Sequence, residues 1–165
     1  MKRLIASLFA AAMIIAVVLP TTAAQAHEKK IEILFSFVAT SATDFIGTYS
    51  MQGAIFEAGA ADGSSTFFPT RHGGTQDRGD KVLHLTGGDI FMHFESDVEF
   101  VGPTVGPTAL IEEGTWTLTG GTGIYAHITG HGKNFILGYC SPACADAGGV
   151  GALAQGKYDG KIDVR

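Results

Sequence analysis

The sequence is short of charge, of cysteine and of helical pattern, and each shortage excludes something. Charged residues make up 16 % of the 165-residue chain, and the formal net charge is −5. No basic stripe runs through it, which argues against nucleic acid as a partner. Beyond Leu19 no apolar run approaches the length a membrane span needs. The reading is therefore a soluble domain with no membrane span. Beyond the same point no amphipathic helix is visible. No Ser/His/Asp or Cys/His arrangement stands out by spacing, and nothing in the pattern calls for a cofactor.

The N-terminus is organised differently from the rest. Lys2 and Arg3 precede a mostly apolar run, Leu4 to Leu19, followed by Pro20 and then Ala24-Gln25-Ala26. A positive start, a short apolar stretch and a small-x-small site form a secretory signal peptide, so residues 1–26 are expected to be removed and 27–165 to form one domain. Export to the periplasm or the medium follows. It also decides the two cysteines, Cys140 and Cys144, for which a disulfide is expected in an oxidising compartment. So small a ring contributes only about 2 kcal/mol by loop entropy, and its expected task is to pin the Pro142 loop. Copper binding or thiol exchange is the alternative for a C-x-x-x-C pair, but no accompanying histidine or helix pattern supports it.

What is present is alternation broken by glycine. Ile31, Ile33, Phe35 and Phe37 alternate with Glu32 and Ser36, and a second run covers Phe45 to Phe56. Ala58 to Asp80 reads as loop-rich, with a short strand around Thr66 to Phe68. Lys81 to Phe100 reads as a hairpin turning at Gly87-Gly88, which pairs Leu85 with Ile90 and Leu83 with Met92 and puts Phe94 on the same face. In the last run Tyr158, Ile162 and Val164 face one way and Lys157, Asp159, Lys161 and Asp163 the other. About eight such strands predict an all-β fold, a single closed antiparallel β-barrel with an apolar interior. Closure would also remove exposed edges.

The candidate sites are few. His127 and His131 have zinc-ligand spacing for a helix, but on a strand they stand roughly 13 Å apart, too far to share an ion. His84 and His93 read as same-face neighbours across the hairpin with Glu95 nearby, but they lie on its polar face, where a solvated pair rather than a metal site is expected. His27 would begin the mature chain, and an N-terminal histidine can grip copper, but nothing else near it fits that use. Glu112 is the sharper candidate, because it is in phase with Leu110, Trp116 and Leu118 on the face assigned to the interior. A buried carboxyl must find partners or change protonation state, and is a functional candidate for that reason. The alternative places it at a barrel mouth, in water.

Gly121-Thr122-Gly123-Ile124-Tyr125-Ala126 matches G-x-G-x-x-A, the dinucleotide fingerprint. That fingerprint needs a helix after it, and Ile124 to Leu137 has glycines, β-branched residues and no helical period. The stretch is read as a hairpin turn. An odd loop or one bulge would put Trp116 and Leu118 with Ile124, Ala126 and Ile128 inside, sending Tyr125, His127 and His131 outward. Thr119-Gly120-Gly121-Thr122-Gly123-Ile124-Tyr125, with Gly130 and Gly132 after it, resembles the Gly-Gly-Thr-Gly-x-Phe/Tyr hairpin of the allene oxide cyclase and dirigent proteins. The resemblance implies an eight-stranded barrel with an apolar cavity, assembled as a dimer or trimer, that guides ring closure or radical coupling of apolar substrates. None of those families' catalytic residues maps onto this chain.

The expected role is to hold a small apolar molecule inside the barrel, with Phe35, Phe37, Leu83, Met92, Phe94 and Trp116 lining core or pocket. A cyclase or isomerase using Glu112, or a packed structural barrel, are the alternatives.

Overall fold

In the computed structural model, which describes residues 28–102 and 108–164, eight strands follow one another around a closed antiparallel barrel. They are β1 (Lys29–Ala39), β2 (Asp44–Gly53), β3 (Glu57–Pro69), β4 (Thr75–Leu85), β5 (Gly88–Val101), β6 (Thr108–Gly121), β7 (Thr129–Cys140) and β8 (Leu153–Asp163). Each pairs with its sequence neighbours, and β1 pairs with β8, so no strand edge is left open. The expected N-terminal signal peptide and His27 lie outside the described residues.

Alternation sets the inside and the outside. Ile31, Ile33, Phe35 and Phe37 on β1 are buried, as are Leu83, Met92, Phe94, Trp116, Tyr158 and Ile162 on the other strands. All six side chains expected to line the interior therefore sit in the core. Burying large aliphatic and aromatic side chains contributes about 1.5–3 kcal/mol each, which makes this stack the main source of stability.

Five expectations change. Ala58 to Asp80, loop-rich in composition, forms most of β3 and the start of β4, with only residues 70–74 between them. Its composition hid it, since Gly, Asp and, to a lesser degree, Ala are depleted in strands. The small residues are there to admit aromatic rings. Gly63 pairs with Phe45, and a Cβ on Gly63 would stand 2.6 Å from the Phe45 ring. The second run also stops earlier than expected, at Gly53, leaving Phe56 beyond the strand and 89 % exposed.

The β4–β5 turn comprises Thr86 and Gly87, not Gly87-Gly88, so Leu83 pairs with Ile90, Leu85 with Gly88 and Lys81 with Met92. The pairing slides by two residues, which preserves every side chain's face. Beyond Gly121, the β6–β7 connection carries a 3₁₀ turn over Gly123–Tyr125. Gly123 has φ +57°, a left-handed conformation that favours glycine. Because the turn breaks the alternation, Tyr125 is buried and Ile124 is 66 % exposed, the reverse of the expectation, and Ala126 is exposed too. Ile128 is buried, and His127 and His131 point outward as expected. At the C-terminal end Val164 is exposed and Asp163 buried, since β8 ends at Asp163 and the alternation ends with it.

Cys140 and Cys144 form a disulfide across a short helix, α1 (Pro142–Asp146), which Ser141 caps by accepting from the Cys144 N–H. This staples the β7–β8 connection at one end of the barrel. No helix among the described residues is long and apolar enough to cross a membrane.

Candidate functional site

The two ends of the barrel differ. Toward the β4–β5 and β6–β7 turns the interior is filled by Met51, Leu85, Ile90, Met92, Leu118 and Ile128. Toward the disulfide end it opens into a cavity of about 290 Å³. Phe37, Phe45, Phe94, Phe100, Leu110 and Ile136 give it apolar walls. The β1–β2 turn and the segment after α1 stand at its rim, through Ser41, Thr43, Gly149 and Ala152.

At the floor of the cavity the lining turns polar. Asp77 and Lys81 from β4 and Glu112 from β6 reach it. All three are buried, with 4 %, 2 % and 5 % of their surface exposed. Asp77 pairs across the sheet with Ser96, and Asn134 with Tyr158, so one polar patch runs along the inner wall from β4 to β8. Asn134 Nδ2 donates to Ser96 Oγ at 2.7 Å.

Lys81 is enclosed by rings. Its Nζ lies 3.4 Å from the centroid of Phe94 and 4.7 Å from that of Tyr158, with Phe37 at 5.2 Å, Phe45 at 5.5 Å and Phe35 at 5.7 Å. It donates a hydrogen bond to the Tyr158 hydroxyl oxygen. Aromatic faces attract a cation, but burial without a close counter-ion opposes the charge more strongly. Burial holds Lys81 well below the ordinary lysine range, while Glu112 and Asp77 pull it back up. Burial likewise pushes Glu112 well above the usual carboxylate range; Asp77 adds to the push and Lys81 opposes it. Asp77 is lifted by burial to about 6, against the Ser65 hydroxyl, Lys81 and the Arg78 N–H. Tyr158, buried beside Glu112 and Asp77, is held well above the tyrosine range.

Asp77 Oδ1, Glu112 Oε2 and Asn134 Oδ1 are buried and find no hydrogen-bond partner in the protein among the described residues. Buried acceptors left in that state cost about 1–3 kcal/mol each unless a ligand, a solvent molecule or a proton satisfies them. A group carrying hydrogen-bond donors and seated on this floor would find acceptors waiting.

Of the sequence candidates, Glu112 reaches the cavity, and Phe37 and Phe94 form its walls. Phe35 lies just below, stacked on Phe37 with ring centroids 5.0 Å apart. Leu83, Met92 and Trp116 pack the filled part of the barrel and do not line the cavity. His84 and His93 are not neighbours: His84 is held between Asp62 at 2.5 Å and Asp89 at 2.9 Å, and His93 faces Asp80 at 2.9 Å. Each is a carboxylate-paired group on the outer wall. No grouping of three potential metal ligands occurs among the described residues.

Lys81, Asp77, Ser96 and Asn134 escaped the sequence reading. Their signal was phase: 77 and 81 share parity with Leu83 and Leu85, and 96 with Met92 and Phe94. No family model matches the chain, and neither a curated protein nor a solved structure does.

Proposed function

We propose that the protein is an exported carrier or binder that holds a small, mostly apolar molecule in the disulfide end of its barrel. The observation that carries this reading is the half-hollow interior: a cavity of about 290 Å³ walled by phenylalanine, leucine and isoleucine, with a few polar groups converging on its floor. Small-molecule sites have this makeup, concave and apolar with a small number of placed polar groups. The Gly-Gly-Thr-Gly-x-Tyr likeness to the allene oxide cyclase and dirigent barrels supports the same reading. The Cys140–Cys144 disulfide supports export. Self-association finds support in the outer wall, where Leu34, Phe135 and Leu137 flank one shallow groove.

A second reading, a cyclase or isomerase, is favoured by one observation. Glu112 is a buried carboxyl with a raised pKa, facing the space an apolar substrate would occupy. Such a group can take up or deliver a proton near neutral pH. Native mass spectrometry of protein purified from its producing host tests both readings. A retained small molecule is expected, released unchanged after incubation if the protein is a binder and chemically altered if it is an enzyme. A barrel that retains nothing, and whose stability no apolar probe alters, overturns both.

A further inference from the structure

We propose that Lys81 condenses with the carbonyl group of an apolar aldehyde or ketone in the cavity, forming an imine. This rests on the cavity being a ligand site, and it names the ligand's reactive group.

The argument starts from how the amine is held. Lys81 lines the cavity floor although only 2 % of its surface is exposed. An ammonium has three N–H donors to place, yet the one hydrogen-bond partner found for Nζ among the described residues is the Tyr158 hydroxyl. No carboxylate among those residues comes within ion-pair distance of it; the lysine pairs found are those of Lys157 and Lys161 on the outer wall. A neutral amine suits that setting, and the low lysine pKa has the same physical origin. A neutral, desolvated lysine in an apolar pocket is a nucleophile toward carbonyl carbon. The walls select the rest of the molecule, since Phe37, Phe45, Phe94 and Leu110 leave room for an aliphatic or aromatic body.

The neighbours supply the proton transfers. Nζ attacks the carbonyl carbon; the C–N bond forms and the C=O π pair moves onto oxygen. That oxygen takes a proton from a buried acid, for which Glu112 is placed at the same floor, and the nitrogen gives up one of its own. The nitrogen's proton recharges that carboxylate, whose second donation, to the hydroxyl, lets it leave as water while the nitrogen lone pair closes the C=N bond. The iminium N–H then returns its proton to the same carboxylate. Amine and carbonyl give imine and water, with no change of oxidation state. Burial raises Glu112 and Asp77, so that each holds a proton at higher pH than a surface carboxyl does. The apolar walls limit the access of water that would reverse the reaction.

The test traps the imine. The full-length protein is incubated near neutral pH with benzaldehyde and sodium cyanoborohydride, which reduces an imine to a stable benzylamine, and the adducts are located by peptide mass mapping. The exposed Lys29, Lys30, Lys133, Lys157 and Lys161 are the internal comparison. Labelling at Lys81 is expected to run on the order of tenfold or more faster than at those sites, because a neutral, desolvated amine beside the bound carbonyl reacts without first losing a proton. Excess benzyl alcohol, which has the shape without the carbonyl, is expected to slow it. Lys81→Arg is expected to lose this adduct alone. Melting temperatures with benzyl alcohol are measured in parallel. Stabilisation by benzyl alcohol with labelling confined to surface lysines overturns the imine and leaves the cavity reading intact. No stabilisation and no Lys81 adduct overturns both.

Discussion

At the scale of single residues, the interior is governed by the conflict between burial and charge on Asp77, Lys81 and Glu112. Asp77 makes this measurable. Its pKa in the fold is about 6 against an ordinary 3.8, so the folded protein binds the proton more tightly than the unfolded chain. The stability linked to this group is present below pH 3.8 and is lost as pH rises through about 6. A shift of about two units corresponds to about 3 kcal/mol. Asp77→Asn cannot titrate, so it is expected to be more stable than wild type by about 1–3 kcal/mol near pH 8, with the gap closing toward pH 4. Urea unfolding at both pH values measures it, and a gap of equal size at both would refute the assignment. The same residues mark the limit of the sequence. Glu112 was legible because it shares phase with Leu110, Trp116 and Leu118. Lys81 and Asp77 share phase with Leu83 just as well, but a lone lysine or aspartate in a strand is ordinarily a solvent-facing residue. Only the aromatic box around Lys81 overrides that, and its rings come from β1, β2, β5 and β8, far apart in sequence.

At the scale of elements, alternation was readable wherever large apolar residues marked one face, and unreadable where glycine replaced them. On β4 and β5 it fixed the faces even though the turn lies one residue earlier than Gly87-Gly88 suggests. On β3 the inward residues are small because Phe45 and Tyr49 of β2 fill the space, so the period vanished from the sequence. The β6–β8 wall works the same way. Trp116 pairs with Gly132, and Gly132 with Gly160, so the indole lies over two glycines and donates from Nε1 to the Lys133 carbonyl at 3.1 Å. A Cβ on Gly160 would stand 2.3 Å from the His131 carbonyl oxygen and 2.5 Å from the Trp116 ring. Two of those neighbours, a paired backbone and a fully buried indole, have no room to yield. Gly160→Ala is therefore expected to destabilise the barrel by about 1–3 kcal/mol or more, with a shift in tryptophan fluorescence. Gly156→Ala, whose Cβ would meet only Ile136 Cγ1, at 3.0 Å, and Tyr158 at 3.2 Å among side chains, serves as the milder comparison on the same strand. Equal losses at the two positions would show that backbone entropy, rather than the indole, sets the cost.

At the scale of the whole molecule, the fully packed part of the core and the candidate site occupy opposite ends of one barrel. The filled end carries Met92, Leu83, Trp116 and Ile162, each with almost no exposed surface. The hollow end carries the apolar walls, the polar floor and the stapled β7–β8 connection. This division predicts that the cavity can be filled without unfolding the protein. Ala154 lines the cavity and pairs with both Phe37 and Gly138, so a larger side chain there grows into the empty space. Ala154→Leu is expected to change the stability of the ligand-free protein by less than about 1.5 kcal/mol, since an added side chain with room to sit neither leaves a void nor forces a clash. Its effect on binding is expected to be large. An apolar probe such as benzyl alcohol at ten times its dissociation constant should stabilise the wild type by about 1.4 kcal/mol, a rise of roughly 5 °C in melting temperature for a domain of this size. In Ala154→Leu the same probe concentration should give little or no rise. A variant that melts well below wild type without probe would mean that the hollow end also carries the fold, and an undiminished probe response would place the ligand somewhere other than this cavity.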